Sequence, residues 1–353
     1  MSTPSDQLDE ITVSSTSTAN QTSTPAAQFG RKYSLIVGTN SGSAVDLSQL
    51  RFRFITKRGD FQNPNTCDVR VYNLSKQTAN NLAANEFTQL QLQAGYPGNY
   101  GQIFIGTIAQ VRIGRENQLD SYVDFTAADG DEPYNFAPIV ASMSAGANSP
   151  GDILATILTS MKAGAKSGTF GKGYIAPLPN KSLTRGKVLY GNARDFMRQL
   201  AKNNDMSWSI QDQQLTMIPL SSYIPGDPVV ISPDTGLIGV PEQTANGISM
   251  RMLLNPYVKI GQTIKLQASV NQLRFNPGLW NQGQNLNLQS GSARINGHGL
   301  YYVMVATHTG DTRGNPWYTD VICLAVDASI NPSNSDFINS NFYVAGGPIK
   351  RFG

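Results

Sequence analysis

Along most of this chain, apolar and polar positions alternate with a period of two. Residues 32–38 (KYSLIVG), 50–55 (LRFRFI) and 67–73 (CDVRVYN) read as half-buried strands. Residues 75–85 (SKQTANNLAAN) break the alternation and predict a helix with Ser75 as its N-cap. Strands resume over 87–94, 103–113 and 121–128. The first part of the chain therefore predicts a meander of about six strands with one short helix, a small barrel or sandwich.

The same pattern returns near the end. Residues 299–327 (GLYYVMVATHTGDTRGNPWYTDVICLAVD) read as two strands rich in Tyr, Val, Ile and Thr around a Gly-Asp-Thr-Arg-Gly-Asn-Pro turn. Residues 103–129 (IFIGTIAQVRIGRENQLDSYVDFTAAD) form a similar hairpin, with Asp129 matching Asp327. Further back, 90–94 (LQLQA) matches 264–268 (IKLQA), and 69–73 (VRVYN) matches 250–254 (MRMLL). Three segments recurring in one order predict a duplicated β-domain.

Between the copies the period changes to that of a helix. Ser149 and Pro150 open one, whose apolar face is Ile153, Leu154, Ile157, Leu158 and Met161. Residues 164–173 read as a glycine-rich link. Asn192 caps a second helix over 193–202, facing inward through Phe196, Met197 and Leu200. A hairpin follows, 206–210 and 215–218, turning at Asp212-Gln213, with Trp208 as its core anchor. Residues 225–247, rich in Pro and Gly, read as a linker into the second copy, and 276–291 as a long polar excursion.

The expected fold is thus mainly β with a smaller α/β module. A disordered N-terminal arm (1–28) precedes a first β-barrel (29–148), the module (149–224), a second barrel (225–330) and a polar tail (331–353). The arm lacks large apolar side chains and the features of a signal peptide.

Composition narrows the class. Charged residues make up 14% of the chain, against about 25% in a typical soluble domain. Such a surface suits extensive contact with partners, although secreted β-proteins share it. The net charge of +3 is too small to drive nucleic-acid or membrane binding, and no apolar run is long enough to span a bilayer. Cys67 and Cys323 fall inside strands and read as reduced core thiols.

Little points to chemistry. His298 and His308 are ten residues apart, too far along one strand to share a metal. No zinc spacing, phosphate loop or nucleophile elbow occurs. The carboxylates at Asp129, Asp131 and Glu132 fit a solvated turn better than a calcium loop. The reading is therefore no catalytic, cofactor or metal site. A carbohydrate-binding β-protein, secreted or tail-associated, is the alternative to a structural role, and a glycoside or peptidoglycan hydrolase would need carboxylates converging from distant strands.

The segments CDVRVYNLS (67–75), LQLQAGY (90–96), FIGTI (104–108), TAADGDEPYNFA (126–137) and HTGDTRGNPWYTDVICL (308–324) resemble those of the central baseplate hub proteins of contractile-tailed bacteriophages. The resemblance spans roughly residues 29–328. It implies two domains with the fold of the tail-tube subunit, separated by a smaller module, and assembly as a homotrimer. Six barrels in a pseudo-sixfold ring would adapt a hexameric tail tube to a separate trimeric spike and contact other baseplate proteins. DNA would pass through without specific binding. It also implies a virion protein made in the host cytoplasm, without membrane insertion. The candidate contact residues are Arg115, Glu116 and Asn117 on the first hairpin and Arg313, Trp317 and Tyr318 on the second. In the tail they are Phe342, Tyr343 and Phe352.

Overall fold

The computed structural model describes residues 28–39, 42, 44–83, 88–146, 148–166, 169–179, 182–220, 222–244, 247–267, 274–275, 299–326, 342–344 and 347–349. Most of the expected arm, the 276–291 excursion, His298, Asp327 and Phe352 lie outside the described residues.

The first unit contains β1 (Lys32–Gly38), β2 (Ala44–Asp46), β3 (Phe52–Gly59), β4 (Thr66–Tyr72), α1 (Lys76–Ala83), β5 (Gln89–Tyr96), β6 (Asn99–Arg115) and β7 (Ser121–Ala128). Its strands lie in the order β3-β4-β7-β6-β5-β1-β2. Alternation decides which face is inside. In β3, Phe52, Phe54 and Thr56 are buried while Arg53, Ile55 and Lys57 face out. Phe52 and Phe54 join Leu35, Val69, Leu92 and Phe125 in one core. The Ser75 hydroxyl accepts from the Thr78 amide (3.1 Å) and caps α1, as its sequence predicts.

The middle module contains α2 (Asp131–Asn135), β8 (Pro138–Met143), α3 (Pro150–Gly164), β9 (Gly171–Ile175), β10 (Lys187–Asn192), α4 (Ala193–Asn203), β11 (Met206–Gln211) and β12 (Gln214–Pro219). Ser149 and Asp152 form a reciprocal capping box at α3, and all five apolar residues read from its sequence are buried. Trp208 is in this core, stacked on Tyr134 at 6.2 Å between ring centroids. Three strands of the module differ from the sequence reading. β8 pairs with β10, and β9 adds in parallel to β12 where a flexible link was expected. Gly173 has a physical reason to be glycine there, since a Cβ would lie 3.0–3.1 Å from Thr216 and Gln214.

The second unit contains β13 (Val229–Ile231), β14 (Leu237–Thr244), β15 (Gly247–Leu253), β16 (Thr263–Leu266), β17 (Arg274–Phe275), β18 (Leu300–Asp311) and β19 (Trp317–Ala325). β20 (Phe342–Val344) and β21 (Gly347–Ile349) form a separate hairpin. The stretch read as a linker is structural, since β13 and β14 are strands of the main sheet.

The duplication is visible in the topology. The order β14-β15-β19-β18, continued by β16 and β13, repeats β3-β4-β7-β6-β5-β1. The last strand differs in direction, β1 being antiparallel to β5 and β13 parallel to β16. A side-chain signature repeats with it. Arg70 on β4 pairs with Asp124 on β7 at 2.6 Å and lies 3.8 Å from the Tyr122 ring centroid. Arg251 on β15 pairs with Asp320 on β19 at 2.6 Å and lies 4.1 Å from that of Tyr318. This fixes Asp124 opposite Asp320 in the repeat. Asp129 is therefore level with Ala325 rather than Asp327.

The two units share one sheet. The outer edge of β18 pairs with β3, from Val305 opposite Gly59 to Asp311 opposite Arg53. Among the described residues the result is a continuous fourteen-stranded sheet.

Candidate functional site

Among the described residues, two places carry chemistry beyond ordinary packing. One is a buried polar junction, the other the pair of hairpin arms.

The junction forms where the end of β3, the β11–β12 turn and the loop before β16 meet. Period-two alternation places Arg58 on the inward face of β3, and it is 3% exposed. Its guanidinium donates to the Ile103 carbonyl (3.1 Å) and Gln211 Oε1 (3.2 Å), and pairs with Asp212 at 3.0 Å. Lys259 pairs with the same Asp212 oxygen at 3.0 Å and donates to the Gln102 carbonyl. Asp212 and Gln213 form the β11–β12 turn with φ of 53° and 60°. That hairpin geometry favours Asn and Gly, so these residues need outside support. Asp129 supplies it, accepting the Asp212 amide at 2.8 Å and the Gln213 amide at 2.7 Å. Asn65 bridges Asp129, Gln211 and the Ile210 carbonyl.

Asp129 is 2% exposed, so the solvated turn expected there is corrected for this residue. A carboxylate that fastens two backbone amides of another module has to be inside. Burial, and then the neighbouring Asp212 charge, push its carboxyl up to about 7, against the pull of Arg58 and its amide partners. Burial opposes ionisation of Asp212, but Arg58 and Lys259 outweigh it and hold that carboxyl far below the usual range. Burial, and then the Arg58 charge, lower the Lys259 ammonium.

The second unit reaches the junction through β18. The Tyr302 hydroxyl donates to Asp60 Oδ2 (2.5 Å), and Ser207 on β11 donates to Asp60 Oδ1 (3.1 Å). His308 is 1% exposed, with Nδ1 2.9 Å from the Thr319 hydroxyl. Burial, and then the Arg58 and Lys259 charges, push its imidazole down to about 3. The buried Cys67 thiol is pushed up to about 12, chiefly by burial, and Cys323 is shifted the same way. Among the described residues, no three His, Cys, Asp or Glu side chains cluster so as to hold a metal ion. Arg58, Lys259 and Asp212 bind one another and, with Asp129, backbone, and so tie β3, the β11–β12 turn and the loop before β16 together.

The base of the second hairpin arm is engaged within the chain. Gly310 lies against aromatic rings, where a Cβ would come 2.5 Å from Phe54 and 2.8 Å from Trp317. Asp311 accepts the Arg313 and Gly314 amides, both at 2.9 Å, and pairs with Arg51 at 2.9 Å. Thr312 exchanges hydrogen bonds with the backbone of Phe52. Arg31 donates to the carbonyls of Asp311, Gly314 and Asn315 and lies over the Trp317 ring. The Gly-Asp-Thr-Arg-Gly-Asn stretch is thus the clamp between the two units.

The candidate contact residues divide accordingly. Trp317 is 3% exposed, its indole N–H directed at the Gly95 carbonyl (3.4 Å) inside the chain, and Tyr318 carries Arg251. Arg313 is exposed, as are Arg115, Glu116 and Asn117 at the tip of the first arm. Phe342 and Tyr343 lie on β20. The sequence reading missed Arg58, Asn65, Asp212 and Lys259. Only Arg58 left a signal, as a charge at an inward position of an alternating strand.

Residues 180–277 match the family model described as Baseplate hub gp41. That stretch includes Gln211, Asp212 and Lys259 of the junction. None of the curated proteins matches the sequence. Among solved structures, the chain is similar to a 43 kDa tail protein of prophage MuSo2 from Shewanella oneidensis. The TM-score is 0.50 at 6% identity, over 83% of this chain and 97% of that one. It is also similar to a tail protein from Neisseria meningitidis MC58, with a TM-score of 0.50 at 7% identity, over 85% of this chain and 97% of that one. At such identities the likeness is one of fold. The resemblance to baseplate hub proteins holds. It rests on segments within 67–137 and 308–324, and the family model reaches the same description from a stretch overlapping neither.

Proposed function

We propose that this chain is the central hub of a phage baseplate, a homotrimeric structural protein of the virion without catalytic activity. The observation that carries the reading is the duplicated six-strand order joined edge to edge within one chain. Two similar units per chain give six in a trimer. Such a ring presents sixfold-like symmetry to a hexameric tail tube and threefold symmetry to a trimeric spike. On this reading, the tube-like domains lie within residues 29–148 and 225–330, with 149–224 the module between them, into whose core α2 and β8 also pack, and 1–28 and 331–353 are the tails. The ring's lumen passes DNA without specific contacts, in keeping with the low charge of the chain. The polar junction keeps the two units at a fixed angle, which a symmetric ring requires. Arg115, Glu116, Asn117 and Arg313 remain contact residues on this reading, while Trp317 acts inside the chain.

Electron microscopy of the purified chain mixed with the tail-tube and spike proteins of the same tail tests this. Tube rings stacked on one face and a spike on the other are expected. A chain that ignores both proteins but binds cell-wall glycans would instead establish the carbohydrate-binding alternative.

A further inference from the structure

Among the described residues, β8 and β10 pair with each other and with no other strand. The inward face of this small sheet is ordinary. Ile139 and Leu189 are at most 1% exposed and belong to the core of the module. The outward face carries Pro138, Val140 and Ser142 on β8 and Val188, Tyr190 and Asn192 on β10. Tyr190 stands opposite Val140, and the two are 78% and 77% exposed. Val188 on the same face is 72% exposed, and Phe136 just before β8 is 65% exposed. None of these residues is charged, whereas a sheet face turned to water is normally polar. An apolar patch of this kind marks a surface that binds something.

The course of the chain points to the cover. The Val326 amide donates to the Leu300 carbonyl at 2.8 Å, so the chain leaves the second unit beside the start of β18. That end adjoins the module. Tyr302 donates there to Asp60, which also accepts from Ser207 of β11. The loop that begins at Asp60 then touches α4 and α2. Arg198 donates to Gln62 at 2.8 Å, and the Tyr134 hydroxyl to Asn63 at 3.4 Å, two residues before Phe136. Residues 327–341 separate Val326 from β20, and a stretch of that length spans up to about 50 Å when extended. The fifteen-residue α3, the long element of the module, is only about 22 Å long.

The segment at the end of that tether is itself short of a partner layer. β20 and β21 pair with each other and with no other strand among the described residues, setting Phe342 opposite Ile349 and Tyr343 opposite Pro348. A lone hairpin is at best marginally stable in water until it packs on something.

We propose that the β20–β21 hairpin of the C-terminal tail packs on the outward face of β8 and β10 in the same chain, covering Val140, Val188 and Tyr190 with an apolar layer. Two small sheets, each with a face to bury, then form one sandwich with layers about 10 Å apart. The short tether gives the tail of the same chain a high effective concentration at this face. Phe342 and Tyr343 act on this account inside the chain, as Trp317 does. The inference does not depend on the ring.

The test places the photoreactive residue p-benzoylphenylalanine at Tyr190 of the full chain. After irradiation, digestion is expected to show the peptide containing position 190 joined to one from 337–352, in material that runs as a single chain on a denaturing gel. The same joined peptides found only at twice the chain mass would overturn docking within the chain and put a second copy's tail in its place. Position 190 joined to no tail peptide would overturn the tail as the occupant. A second reading uses Val140→Asp with Val188→Asp, in chains that keep the wild-type circular dichroism. Chymotrypsin is expected to cut after Phe342 and Tyr343 about tenfold faster in that variant, because cleavage follows the open population of the segment. Equal cutting rates would also count against the docked tail.

Discussion

Gly310 is glycine because of two rings rather than because of its backbone. A methyl there meets Phe54 and Trp317, both fully packed. Gly310→Ala is expected to cost about 2 kcal/mol, the scale of overpacking a tight core, read as a lowered urea midpoint with unchanged slope. An unchanged midpoint would show that the rings give way. His308 makes the molecule sensitive to acid. Its imidazole sits at about 3, against 6.5 unperturbed. Between these values the unfolded chain binds more protons than the folded one. The contribution of this residue is therefore full above pH 6.5 and is lost as pH falls toward 3. Between about pH 7 and about pH 4.5, the wild-type Tm is expected to fall more steeply than that of His308→Gln; parallel curves would contradict the assignment. Local features such as the helix start at Ser149 and Pro150 and the Trp208 anchor were legible in the sequence, because their partners are near neighbours or a general core. His308 was legible only as a failed metal ligand. Its partners come from β3, β19 and the loop carrying Lys259, and no spacing rule connects them.

Among the elements, strands with clean alternation were read at nearly their true bounds, β1 and the β11–β12 hairpin among them. The misses share a cause. β9 contains two glycines in five residues, and β14 lies in a stretch rich in turn formers. Both are strands because a partner strand supplies their hydrogen bonds, a long-range fact that local composition does not carry. The duplicated order was legible because similar cores demand similar patterns in similar sequence. The joint between the copies was not, since an edge pairs through its backbone. The polar junction belongs to this scale too. Arg58→Met removes the guanidinium bridging Asp212, Gln211 and the Ile103 carbonyl, and is expected to destabilise by about 3 kcal/mol, typical for breaking a buried pair. Hydrogen exchange should then rise at Asp212 and Gln213, whose amides Asp129 holds. Protection unchanged at both amides would mean that the turn stands without the junction.

At the scale of the whole molecule, the described residues pack into three cores, and a continuous fourteen-stranded sheet runs through the two similar units. The angle between those units is set by the β3–β18 joint, the Arg31 clamp on the second hairpin and the buried charges beneath. A repeated angle of this kind is what closes a ring. The central claim is that three copies do close one, and native mass spectrometry of the full chain over a range of concentrations tests it most directly. A single assembled species at three times the chain mass is the expected result. A lone chain at every concentration, or an open series of masses with no preference for three, would contradict it.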